Sequence, residues 1–266
     1  MNLPGGLWLA GTLHREFAFR PVTGALELAI AEANETAANL PAKVSEVLSL
    51  ALATVGGFAA DRPAVASLAV GDRQFLMRQL SARMGVDLVW LSAQCAGCDE
   101  RFDFSVQQSV LPCNEAAAGF PFVTVATSRG PLEVRVPNGA DQEVIAQLDD
   151  EAARQALLVR CAGLESDPGR FNRLTDEDWL RVESALESVA PAPVLAAQAP
   201  CPVCGADNTV ELDPYWCLSL AQGEVFEEIH ILASHYHWRE ADILAMPRHR
   251  RKRYLRLIDR ARGMAE

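Results

Sequence analysis

Four cysteines constrain this chain more than any other feature. Cys95-Ala96-Gly97-Cys98 and Cys201-Pro202-Val203-Cys204 form two Cys-x-x-Cys pairs, with 102 residues between Cys98 and Cys201. A tight turn presenting two sulfurs is how a protein supplies thiolates to a tetrahedral ion at about 2.3 Å. Read together, the pairs predict one structural zinc held by Cys95, Cys98, Cys201 and Cys204. Gly97 and Gly205 are the expected left-handed residues of the two turns. A thioredoxin-type redox pair opens a helix after a strand. Here each pair precedes a strand-like run, Arg101 to Val106 and Thr209 to Leu212, which favours metal over redox chemistry. A closed four-thiolate site leaves no position for water, so it argues for stability and not for hydrolysis.

Seven cysteines are an odd number, and a 266-residue chain is too long to need disulfide staples. Both points suit a reducing cytoplasm. Cys113, Cys161 and Cys217 are left over. Cys161 ends an apolar run and reads as a core residue, and Cys217 is a spare ligand that no spacing demands. Half of the residues are hydrophobic and 22% are charged, which suits a folded globular chain. No stretch approaches the ~20 apolar residues of a membrane span. The longest, Val47 to Ala60, is interrupted by Ser49, Thr54, Gly56 and Gly57. Met1 to Ala10 lacks the basic start of a signal peptide.

Charge is unevenly spread. Pro247 to Gly263 holds eight Lys or Arg against Asp259 alone, a charge of +7, which leaves −18 elsewhere in a chain whose total is −11. An acidic body disfavours binding to nucleic acid. The basic run reads as a packed helix with a basic outer face, which either pairs with the chain's own acids or docks an acidic protein, with Arg250, Arg251 and Arg253 as candidate contacts.

The periodicities predict an α+β protein, mostly helical, with a small β module and a zinc-ribbon-like site. Residues 1–87 read as a helical region. It contains a helix over 41–55, with an apolar stripe from Val44 to Val55, and a helix from an Asp72 N-cap to Met84. Residues 88–140 read as the β module with the first cysteine pair, including a hairpin turn at Ser128-Arg129-Gly130-Pro131. Residues 141–190 are helical, with continuous periodicity from Asp141 to Ala162 and a capped start at Thr175. Residues 191–212 read as a Pro/Ala-rich linker and the second pair, and 213–266 as helices ending in the basic one. No Gly-x-Ser-x-Gly elbow and no Walker-type phosphate loop occurs. His230, His235 and His237 lack zincin spacing, so no enzyme is expected.

Several motifs resemble one family. They are Phe19-Arg20-Pro21-Val22-Thr23-Gly24, Val70-Gly71-Asp72-Arg73, a following Cys-x-x-Cys, and Arg135 to Asp141. At the C-terminal end they are His230-Ile231-Leu232-Ala233, Tyr236-His237-Trp238, Ile243-Leu244-Ala245-Met246-Pro247 and Arg250-Arg251. From about Phe19 to Ile258 the chain is similar to the T-even-type baseplate hub assembly proteins, which also occur in prophages and phage-tail-like injection systems. The resemblance implies an assembly factor or minor component of a baseplate hub, with hub or spike proteins as partners and no enzymatic activity. The zinc is read from the cysteines and not from this likeness. The alternative is a zinc-ribbon nucleic-acid-binding or regulatory protein.

Overall fold

The computed structural model describes residues 1–219 and 222–263. The chain opens with a hairpin, β1 (Asn2–Leu9) and β2 (Thr12–Phe19), and not with a helix. Helices α1 (Gly24–Thr36) and α2 (Leu40–Ala51) follow. Strands β3 (Leu52–Val55) and β4 (Phe58–Ala59) then complete an antiparallel sheet of order β1-β2-β3-β4. The apolar stripe from Val44 to Val55 is therefore not one helix. The helix ends at Ala51, and Leu52 and Val55 reach the same core from a strand paired with β2. Four residues are too few for a change of period from 3.6 to 2 to show in sequence. β1 escaped notice because Gly5 and Gly6 interrupt its alternation with a bulge. Helices α3 (Arg62–Ala66) and α4 (Val70–Arg83) pack in this first core, with Leu68, Leu76, Met77 and Leu80 fully buried.

The β module begins with a hairpin of β5 (Leu88–Gln94) and β6 (Arg101–Gln107). After the short β7 (Cys113–Asn114) comes a second hairpin, β8 (Phe122–Thr127) and β9 (Gly130–Arg135), with the expected turn. Helices α5 (Gly139–Ile145), α6 (Asp150–Cys161), α7 (Pro168–Phe171) and α8 (Asp176–Val189) follow. The periodicity from Asp141 to Ala162 is broken between α5 and α6, where Asp149 caps a new helix by accepting the Ala152 N–H at 2.9 Å. At α8 the Thr175–Asp178 capping box forms as the sequence indicates. Helices α6 and α8 close over β8–β9 as a second core around Leu132, Val134, Leu158, Trp179 and Val182.

The expected linker is largely strand: β10 (Ala192–Pro193) pairs with β7, and β11 (Ala196–Pro200) pairs with β12 (Asp207–Glu211). Its Ala-rich composition carries no apolar–polar alternation from which to read them. Helices α9 (Gln222–Tyr236), α10 (Glu240–Leu244) and α11 (Arg248–Ala261) form a third core around Leu232, Ile243 and Ile258. The fold is thus α+β. None of its described helices is long and apolar enough to cross a membrane.

Buried charges join these parts. Asp72 is not the N-cap of α4, since that position is Ala69. Its carboxylate instead accepts the Gly5 and Gly6 N–H groups of the β1 bulge at 2.7 and 2.9 Å. Burial pushes its pKa up to about 6, with the two N–H groups acting against that rise. Arg73, also buried, donates to the Pro41 carbonyl at 2.8 Å and to Ser45 Oγ at 2.9 Å. Arg251 is fully buried, ion-paired to Glu27 on α1 and to Glu228 on α9. This corrects the reading of Arg251 as a partner contact: a side chain without solvent exposure cannot dock anything. Arg250 and Arg253 do face solvent.

Asp141 is the tightest joint. Arg135 grips it with two bonds of 2.5 and 2.7 Å, and Arg160 adds one of 2.8 Å. Burial opposes its charge, but Arg135, the Asn138 N–H and Arg160 outweigh that and hold its pKa below the usual 3.8. The stabilisation is therefore fully present above pH 3.8 and is lost as pH falls through the lowered value. Asp141→Ala is expected to cost about 3–5 kcal/mol by chemical denaturation at pH 7, since it strands two arginines. The cost should shrink as pH falls below 3.8 and through the lowered native value, because the carboxyl is then protonated in the native state as well.

Candidate metal centre

Each cysteine pair lies in the connection of a β-hairpin. Residues 95–100 link β5 to β6, and residues 201–206 link β11 to β12. The two loops repeat one hydrogen-bond pattern. The Cys95 N–H donates to the Glu100 carbonyl and the Cys201 N–H to the Ala206 carbonyl, both at 2.9 Å. The Asp99 N–H returns to the Cys95 carbonyl and the Gly205 N–H to the Cys201 carbonyl, again at 2.9 Å. Asp99 and Gly205 carry the left-handed φ values, 64° and 76°. The first turn thus uses Asp99 where Gly97 was expected, and Asp is one of the few residues with a side chain that tolerates this region. Gly97 matters for close approach, because a Cβ there would sit 3.2 Å from the Ala206 Cβ and 3.6 Å from the Cys204 Sγ.

The loops face each other with first cysteines inward and second cysteines outward. Cys95 and Cys201 are buried, while Cys98 and Cys204 are exposed. Sulfurs meet across the pseudo-symmetry, Cys95 to Cys204 at 3.5 Å and Cys98 to Cys201 at 3.7 Å. All four lie within 4.8 Å of one another. A tetrahedron of 2.3 Å metal–sulfur bonds has edges of about 3.8 Å, so the sulfurs fit a metal ion such as zinc. The Gly97 N–H, 3.3 Å from the Cys95 sulfur, favours its thiolate and leads the effects that bring it down to about 6. At Cys98 the Glu100 N–H acts downward, but the neighbouring thiols and burial win and push it up to about 12. Beneath the sulfurs Phe102 and Ala199 form an apolar floor.

Two residues that position the centre gave no signal in the sequence. Asn208 is buried on β12. Its Oδ1 accepts the Ala96 N–H at 3.0 Å, so the second hairpin grips the first turn. Its Nδ2 donates to the Ala206 carbonyl at 2.9 Å and lies 3.8 Å from the Cys95 sulfur. In sequence it is one more polar residue after a turn. Arg78 acts from further away. It is buried on α4 and donates to the Leu111 carbonyl and the Val194 carbonyl, both at 3.0 Å. Those carbonyls lie on the chain leaving β6 and the chain entering β11. The Val194 N–H also bonds the Pro112 carbonyl at 3.1 Å, beside the β7–β10 pair. Two hairpins distant in sequence are thereby started side by side.

The remaining cysteines stand apart from the cluster. Cys161 is in the second core, as its apolar surroundings indicate. Cys217 is buried in the first core, 3.8 Å from the Met77 carbonyl, and burial pushes it up to about 12, so it is not a spare ligand. His230, His235 and His237 are exposed and belong to no metal-binding group among the described residues.

The arrangement gathers four sulfurs that could together hold one metal ion such as zinc. Comparison with protein-family models, with curated proteins and with solved structures gives no match to this chain. Asn208→Ala is expected to weaken metal binding about 10–100-fold, the usual cost of losing a residue that orients a ligand. Titration of the full-length protein with Zn2+ against a chromophoric chelator measures this directly.

Proposed function

We propose that the four cysteines hold a structural Zn2+ and that the protein is a non-enzymatic assembly factor or minor component of a contractile-tail baseplate hub. Its partners are hub or spike proteins of a phage tail or phage-tail-like injection system, and it works in the cytoplasm where particles are put together. One observation carries the assembly reading: the motifs that resemble the baseplate family supply the charged joints of the fold. Asp72 and Arg73 anchor α4, Arg135 and Asp141 tie β9 to α5, and Arg251 ties α11 to α1 and α9. Such residues are the ones a family sharing this architecture has to keep, because an unpartnered buried charge is severely destabilising. Zinc is the ion because a tetrahedral all-thiolate set selects it over harder cations.

The alternative, a zinc-ribbon nucleic-acid-binding or regulatory protein, is opposed by charge. The two hairpins expose Asp99, Glu100, Asp103, Asp207 and Glu211 against Arg101 alone. Four thiolates on one Zn2+ add a further −2, so the ribbon repels phosphate.

Protein purified without a metal-binding tag is expected to contain one zinc per chain by elemental analysis. Cys201→Ser with Cys204→Ser should abolish it and release the β5–β6 and β11–β12 hairpins from one another. A folded protein with zinc near zero overturns the metal reading. Deleting the gene should leave loose tubes, sheaths or incomplete baseplates in electron micrographs of lysates, and normal numbers of complete particles would overturn the assembly reading.

A further inference from the structure

Helix α11 has two opposite faces. Arg251 and Ile258 are fully buried, and Tyr254 and Leu255 are half-buried against the third core. Half a turn away, His249, Arg253, Arg256 and Arg260 recur at helical spacing and all are exposed. Arg250 and Leu257, the latter 46% exposed, flank this row. Arg248, Arg251 and Lys252 are taken by Glu27 and Glu228. Arg250, Arg253, Arg256 and Arg260 enter no ion pair with any described residue. Arg250 lies over the Tyr254 ring at 6.0 Å, and among the described residues the other three have no ion-pair partner. Arg253 and Arg256, and Arg256 and Arg260, are like-charged pairs at i,i+3 and i,i+4, which destabilise a helix. The first turn of α11 holds no acid and several cations, against the helix dipole.

We propose that this face, Arg253, Arg256 and Arg260 with Arg250 and Leu257, docks an acidic helical segment of a protein partner. Carboxylates repeating every three or four residues match arginines on the same rise over about 15 Å, and each guanidinium can take one bidentately. Leu257 beside the row offers an apolar contact that suits a side chain and not a phosphate. A nucleic acid extending beyond the row meets a body of charge −18. A second copy of the chain brings its own −11, so self-association through this face is opposed at long range. The inference rests on the assembly reading for there being a protein partner. The binding measurement below tests the face itself, whereas particle counts test the assembly role.

The test uses the full-length protein and fluorescein-labelled probes read by anisotropy. The probes are a helical peptide with Glu at i, i+4, i+7 and i+11 around a Leu, the same peptide with Gln for Glu, and single- and double-stranded oligonucleotides of matched charge. The Glu peptide is expected to bind, and the Gln peptide to bind at least ~10-fold more weakly. Arg253→Gln, Arg256→Gln and Arg260→Gln together should lower affinity for the Glu peptide at least ~10-fold, with the thermal midpoint unchanged or raised. Lysine at the same three positions keeps the charge and should give intermediate affinity. Peptide binding indifferent to the glutamine substitutions overturns the proposal. So does tighter binding of either oligonucleotide than of the Glu peptide. A dimer that dissociates on the same substitutions, seen by sedimentation, assigns the face to a second copy and overturns it as well.

Discussion

The hydrogen bonds of Arg78 hold side by side the two chain segments from which the cysteine hairpins project. A guanidinium sealed from water has to give its donors to the protein. Arg78 gives those of its two terminal nitrogens to carbonyls on two segments more than eighty residues apart in the chain, around Leu111 and Val194, while its buried Nε meets no acceptor among the described residues. Those carbonyls belong to the stems from which the two cysteine hairpins project. With the stems held, β7 pairs with β10, and the β11–β12 hairpin stands beside β5–β6. Asn208 then completes the alignment at the tips, and the sulfurs come within 4.8 Å. Order thus passes from a charged residue in the first core, through two backbone stems, to four ligands.

The same device recurs at the other boundaries of the fold. Asp72 fastens the β1 bulge to α4, Asp141 gathers Arg135 and Arg160, and Arg251 draws Glu27 and Glu228 to α11. The three large cores are separate clusters of mainly aliphatic side chains. Buried ion pairs contribute little net stability compared with apolar packing, but removing one partner is severe. They therefore act chiefly on specificity, favouring the docking of hairpins and helices in which these carboxylates and guanidinium groups find their partners. The proposed zinc belongs to this scheme as a further joint, one whose ligands come from outside the three large cores.

The charges left exposed are the counterpart. The ribbon presents acids and α11 presents arginines, so opposite signs lie on different parts of one surface. α11 in particular divides its cations: Arg248, Arg251 and Lys252 pair with Glu27 and Glu228, and Arg253, Arg256 and Arg260 have no ion-pair partner among the described residues. A run of basic residues in sequence is thus two populations with different work.

The sequence by itself marked out the four cysteines of the candidate centre, because residue type and x-x spacing are local properties of each turn. It also determined most helices, the β8–β9 hairpin and the Thr175 cap, whose signals lie within a few residues. The tertiary structure alone decided what depends on partners distant in the chain. It turned the end of the Val44–Val55 stripe into β3, because β2 was there to pair with it. It made strands of the Ala-rich segment before Cys201, and it moved Asp72 from an expected cap to a buried acceptor. It separated Arg251 from Arg250 and Arg253, since a helix sends adjacent residues about 100° apart and only the third core shows which direction is inward. Asn208 and Arg78 escaped for the same reason. Their roles are set by where a carbonyl or an amide lies after folding, and no spacing in the chain records that.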